Sequence, residues 1–133
     1  MSHNDVLQWQ ELLRSPIDRT GFALICGAGR ITNLALQLGF DGITEGLHNI
    51  VPRLAVDLFA AQQAGDFAAG DCMQRRINRC FGVFDVAVGW RGLEVALQAL
   101  GIADFAAPPP YDEPVSADVR RRILRILADE GIV

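Results

Sequence analysis

Glu45 and His48 stand three positions apart, and a carboxylate beside an imidazole can tune its pKa for proton transfer, so the pair could serve as general acid and base. The plainer reading makes His48 a loop hydrogen-bonder ahead of Asn49. Upstream, Gly27-Ala28-Gly29-Arg30-Ile31-Thr32 carries glycines of the kind that let a phosphate approach a helix N-terminus. A dinucleotide fingerprint wants a third glycine, and Thr32 stands in its place. Arg120, Arg121, Arg122 and Arg125 could contact phosphate, but Asp118, Asp129 and Glu130 dilute them, which suits a solvated helix face. His3, His48 and the scattered cysteines have no metal-ligand spacing.

One chemistry is limited by what the sequence lacks. All 12 basic residues are arginine, and a guanidinium stays protonated and is a poor nucleophile. Amine catalysis through a Schiff base needs a primary amine whose pKa a desolvated pocket can lower. Only the α-amino group of Met1 remains, and a chain terminus is a poor place to hold attack geometry.

The bulk properties set wider bounds. With 133 residues, half of them apolar, the chain can bury one core. A net charge of -4 gives no global pull toward nucleic acid or an anionic membrane. No apolar run approaches the ~18 residues of a membrane span, and the first residues lack the basic and hydrophobic parts of a signal peptide. The default expectation is a cytoplasmic protein with no membrane and no nucleic-acid partner. Cys26, Cys72 and Cys80 are odd in number. Cys72 and Cys80 would lie about 12 Å apart along one helix, beyond disulfide reach, so all three read as reduced core thiols.

The elements that must position these residues follow from periodicity. Apolar residues at Val6, Leu7, Trp9, Leu12 and Leu13 predict a short helix, capped by Asn4 or Asp5 and ended by Pro16. Residues 22–26 form a continuous apolar run between glycines, the pattern of a strand buried on both faces in a parallel sheet. A helix over 30–38 ends at Gly39, a second strand covers 42–45, and Asn49 is a candidate cap for a helix reaching about residue 64. That helix has Pro52 in its first turn, Ile50, Leu54, Leu58 and Ala61 inward, and Arg53, Asp57 and Gln62 outward. Two parallel strands joined by a helix make a right-handed crossover. Beyond Gly65 the pattern is helical throughout. Asp66 caps a helix with Phe67, Met73, Ile77, Cys80, Phe81 and Phe84 inward, and Leu93, Ala96, Leu97 and Leu100 mark the next, closed by Gly101. Pro108, Pro109 and Pro110 predict a stiff extended connector, and Ser116 caps a last helix with Val119, Ile123, Ile126 and Leu127 on its apolar face.

This order and several motifs resemble the C-terminal part of the dihydrodipicolinate synthase and N-acetylneuraminate lyase family. The matching residues are Cys26-Gly27, Leu38-Gly39-Phe40-Asp41-Gly42-Ile43, Gly46-Leu47-His48-Asn49-Ile50-Val51-Pro52 and Ala64-Gly65-Asp66. Ala99-Leu100-Gly101, Pro109, Pro110 and Ser116 continue the match. The resemblance implies an α/β fold: a partial (β/α)8 TIM barrel, contributing its last two strands and helices over residues 1–64, with a C-terminal helical region over 65–133. It implies a lyase or aldolase that forms a Schiff base with pyruvate or a related 2-oxo acid, needs no cofactor, and works as a homo-oligomer. The family's Schiff-base lysine, on strand six, and its tyrosine, on strand five, fall before residue 1 of this sequence. Two strands cannot close a barrel that takes roughly 250 residues, so the expectation is a fragment, inactive alone and completed by a complementing chain or by self-association. A non-catalytic interaction module derived from the fold is the alternative. Active sites of such barrels form at the C-terminal ends of strands, which points to 27–30 and 44–49. By the match, Gly27 would let the backbone approach substrate and the Thr44 carbonyl would face the Schiff-base carbon. Arg30, where relatives carry acidic or polar residues, would suit a second carboxylate, and Glu45 completes the substrate-binding set. Arg30 could equally be a solvated first-turn residue.

Overall fold

A computed structural model describes residues 3–16, 18–88, 90–104, 108–110 and 112–133. The α-amino group of Met1 lies outside the described residues.

Helix α1 (Val6–Arg14) begins where the Asp5 carboxylate accepts the backbone N–H of Gln8, and Ser15 closes it. Strand β1 (Ile25–Cys26) pairs in parallel with β2 (Gly42–Ile43), Ile25 opposite Gly42 and Cys26 opposite Ile43. The bond from Thr44 N–H to Cys26 C=O, 2.8 Å, carries the ladder one step further. Between the strands, a 3-10 turn (Gly29–Ile31) leads into α2 (Thr32–Leu38), which stops at Gly39 with φ of +105°. That left-handed angle is cheap only for glycine.

After β2 a second 3-10 turn (Gly46–Asn49) precedes α3 (Pro52–Gln63). Asn49 does not cap α3. Its amide instead donates to the Gly46 carbonyl at 2.9 Å, closing the turn, and Val51 takes the cap position ahead of Pro52. Helices α4 (Phe67–Cys80), α5 (Gly82–Asp85), α6 (Arg91–Ala99) and α7 (Ala117–Asp129) complete the chain. Asp66 and Ser116 cap α4 and α7 as expected, accepting from Ala69 and Val119. The Pro109–Pro110 bond is cis.

Two cores result. Under the sheet, Trp9, Cys26, Ala28, Ala35 and Phe40 pack together, with the Trp9 and Phe40 rings 5.1 Å apart. The larger core joins Leu47, Leu54 and Leu58 to Ile77, Cys80, Val83, Val95, Ile123 and Leu127, on both sides of residue 64. Helices α1 and α2 supply the smaller core, which leaves the opposite face of the sheet uncovered. Phe22 and Ile25 are exposed, at 51% and 38%, where the apolar run had predicted a strand over 22–26 buried on both faces; the strand itself is only Ile25–Cys26. Three more side chains depart from the helical pattern. Phe67 at the start of α4 is exposed, Cys72 is an exposed free thiol while Cys26 and Cys80 are buried, and Gln62 is turned inward against Gly70. Gln62 fits because Gly70 offers no side chain, so α3 and α4 approach closely there.

Candidate functional site

The loops after β1 and β2 meet at the Glu45 carboxylate. Its Oε2 accepts the N–H of Gly29 at 3.2 Å and its Oε1 that of Gly46 at 2.7 Å. Gly29 is required here by proximity: a Cβ would lie 2.5 Å from Glu45 Cγ and 2.6 Å from Phe81 Cζ. Arg30 points back over the same corner. One terminal nitrogen donates to both Asp85 oxygens, at 2.8 and 3.1 Å, and the guanidinium lies 4.6 Å from the Phe81 ring centre. Arg30 is thus both exposed and paired, and α5 supplies the partner.

Gly27, Gly29, Arg30 and Glu45 line one open hollow of about 210 Å³, with Asn4 and Phe81. Three of the four sequence-predicted site residues, Gly27, Arg30 and Glu45, are therefore brought together. Thr44 is close in the chain but its side chain is exposed and it does not line this hollow.

His48 faces elsewhere. Its backbone N–H bonds the Glu45 carbonyl at 3.1 Å, while its ring lines a separate groove of about 430 Å³ with Ile43, Ala55, Val56 and Phe59. Burial holds the imidazole below the usual histidine range, partly offset by the Glu45 charge, so it is neutral at pH 7. Its Nε2 is buried without a partner among the described residues. Both Glu45 oxygens are held by backbone amides, and among the described residues no hydrogen bond joins them to the buried Nε2 of the imidazole.

Helix α4 fixes the 29–33 corner through residues the sequence reading passed over. Gln74, 4% exposed, accepts the Asn33 N–H at 2.9 Å and donates to the Gly29 carbonyl at 2.8 Å and to Asn78 Oδ1 at 3.0 Å. Asn78 donates to the Arg30 carbonyl at 3.0 Å, and Asn33 donates to Asp71 at 2.6 Å. Gln74 thus supplies the capping acceptor that α2 lacks locally. The available signal was polar residues at Asp71, Gln74 and Asn78, spaced three and four apart, with Gln74 on the inward stripe of Ile77 and Phe81. These contacts disfavour a nucleotide phosphate at the corner, because the Gly29, Ile31 and Asn33 amides are taken and a carboxylate stands beside them. On α7, Arg120 bonds Gln98 and Arg121 pairs with Asp118, so half of the basic cluster is engaged locally. Among the described residues, no group of three or more His, Cys, Asp or Glu converges as a metal site, and no helix is long and apolar enough to cross a membrane.

The fold is shared with solved structures. The dihydrodipicolinate synthase of Bacteroides thetaiotaomicron superposes with a TM-score of 0.87 at 22% identity, over 96% of this chain and 44% of its own. A dihydrodipicolinate synthase from Thermotoga maritima gives 0.87 at 19% identity over 100% of this chain and 45% of its own. The dihydrodipicolinate synthase from Acinetobacter baumannii complexed with pyruvate gives 0.82 at 21% identity, over 97% of this chain and 43% of its own. At these identities the likeness establishes the fold. The chain spans less than half the length of these relatives. No match is found among curated proteins. A model of the dihydrodipicolinate synthetase family matches residues 5–129, nearly the whole sequence. By that match, this chain belongs to the dihydrodipicolinate synthetase family.

Proposed function

We propose that the chain is the C-terminal portion of a Schiff-base-forming lyase or aldolase, and supplies one rim of its 2-oxo-acid site. In this reading residues 1–64 are the last part of a (β/α)8 barrel and 65–133 the helical region that follows. The supporting observation is the convergence of Gly27, Arg30 and Glu45 on one hollow at the C-terminal ends of two parallel strands, where barrels carry their sites. Gly27 leaves room for substrate beside the backbone. Both Arg30–Asp85 contacts come from one terminal nitrogen, so the remaining donors are available to a ligand carboxylate. The A. baumannii relative holds pyruvate, a substrate of this class.

The reactive amine is not in the sequence, which has no lysine. In this reading the amine is supplied together with the remaining strands of the barrel, and the 133-residue chain alone is inactive. Borohydride reduction in the presence of labelled pyruvate tests this: no covalent label is expected on the purified chain, and a stable adduct would overturn the assignment of inactivity.

A second reading, a non-catalytic self-association module, is favoured by the free edge of the sheet. Among the described residues strand β2 pairs only with β1, and beside it lies the apolar groove of Ile43, Ala55, Val56 and Phe59, with Val56 61% exposed. An unpaired edge next to apolar surface is a template for pairing. A second copy offers the same edge and groove, so a two-fold contact is self-complementary. Light scattering should report a mass above the 14.5 kDa of one chain, and a well-folded monomer at micromolar concentration would remove this reading.

A further inference from the structure

We propose that a second hollow, on the other side of Glu45, binds a diffuse organic cation such as a quaternary ammonium group. This hollow, about 280 Å³, is lined by Glu45, Phe81, Phe84 and Trp90. The Phe81 and Phe84 ring centres lie 5.9 Å apart, and Phe84 and Trp90 5.8 Å apart at 84°, so the last two rings stand as perpendicular walls. Trp90 is 56% exposed yet seated: a Cβ at Gly46 would come within 2.9 Å of its Cζ3, so the indole rests on the backbone after β2.

Charge completes the argument. Glu45 is hydrogen-bonded by two backbone amides, and no arginine pairs with it among the described residues, so its negative charge stays uncompensated. Arg30 lines the Gly27 hollow but not this one. With no arginine in the lining to offset Glu45, an anion is disfavoured here, and a small hard cation would lose its hydration against three aromatic rings. A methylated ammonium, with spread charge and apolar surface, satisfies both the rings and the carboxylate. Phe81 already works this way within the fold, carrying the Arg30 guanidinium. The proposal does not depend on the 2-oxo-acid reading, whose ligand is an anion and whose hollow lies toward Gly27.

The test is a titration of the 133-residue chain followed by its indole N–H resonances. Trp9 is fully buried under the sheet and serves as an internal control. Tetramethylammonium and choline should shift the Trp90 signal saturably in the millimolar range or below, leaving Trp9 unmoved. The neutral isostere 3,3-dimethylbutan-1-ol and matched sodium chloride should bind at least about tenfold more weakly, as expected for loss of the cation–π and carboxylate attraction. Glu45→Gln should weaken choline by a similar factor. Because Glu45 also holds two loop amides, Phe84→Leu and Trp90→Leu, followed by calorimetry, provide variants that keep both amide–carboxylate hydrogen bonds, and each should abolish binding. Equal binding of the neutral isostere, absence of a saturable shift, or retained affinity in Trp90→Leu would each overturn the proposal.

Discussion

Replacing Gln74 by alanine should cost about 2–4 kcal/mol, because it strands the Asn33 amide, removes a donor from the Gly29 carbonyl and leaves a void at a buried position. The Gly29 carbonyl keeps a weaker donor in Thr32 Oγ1 at 3.2 Å, so the figure lies below the full penalty for two orphaned groups. Against a typical total of about 5–15 kcal/mol, such a loss is large. Urea denaturation should show a lower midpoint at unchanged slope. Gln74→Glu isolates the donor. An ionised carboxylate there can still accept from Asn33 but faces the Gly29 carbonyl with a lone pair, whereas a protonated carboxyl can donate to it. The native pKa of the introduced group is therefore raised, so its stabilising contribution is complete below an unfolded value of about 4.3 and is lost as pH rises through the native one. Relative to the parent, Gln74→Glu should be most stable in acid. If Gln74→Ala costs under about 0.5 kcal/mol, the range for an ordinary surface change, or if Gln74→Glu tracks the parent at every pH, the clamp does not hold the loop.

Two further predictions rest on other groups. The Glu130 carboxylate, held below its usual range by hydrogen bonds from Arg79 and Arg76, should contribute about 1–2 kcal/mol, discounted because both arginines are partly exposed. That contribution is present above the unfolded carboxyl pKa and disappears as pH falls through the depressed native value, so Glu130→Gln and the parent should converge in stability in strong acid. Exposed Cys72 should react with a thiol reagent in the native chain, while Cys26 and Cys80 react only on unfolding. Burial pushes the Cys80 thiol up to about 11, so it stays protonated at pH 8. Fast labelling of more than one thiol at pH 8 would contradict the packing.

What the sequence disclosed was local in origin. Asp5, Asp66 and Ser116 cap from within three residues, and Gly39 ends α2 through its own backbone angle. The misreadings came from contacts that local spacing cannot encode. Gln62 looked outward until Gly70 on the next helix made room for it, and Phe67 looked inward although it opens α4 with its side chain 52% exposed. At the candidate site, the clustering of Gly27, Arg30 and Glu45 was legible from strand-end positions. The Gln74 clamp was not, because its partners lie 41 and 45 residues away. Gly29 was legible as a glycine that mattered, but its reason, the Glu45 and Phe81 atoms beside it, belongs to tertiary structure.

The strands that carry these loops are two residues long, and a sheet of that size contributes little rigidity. The usual relation, in which a sheet scaffold fixes its loops, is reversed here. Helices α4 and α5 hold the corner through Gln74, Asn78, Phe81 and Asp85, from the far side of the larger core. Covering the β2 edge with another strand would therefore alter the groove around His48 first, since that groove contains Ile43 and abuts the edge. The Glu45 hollows, braced from α4 and α5, would keep their shape. In the proposed reading, a segment that pairs along the edge would therefore meet a corner already shaped by the Gln74, Asn78 and Asp85 contacts.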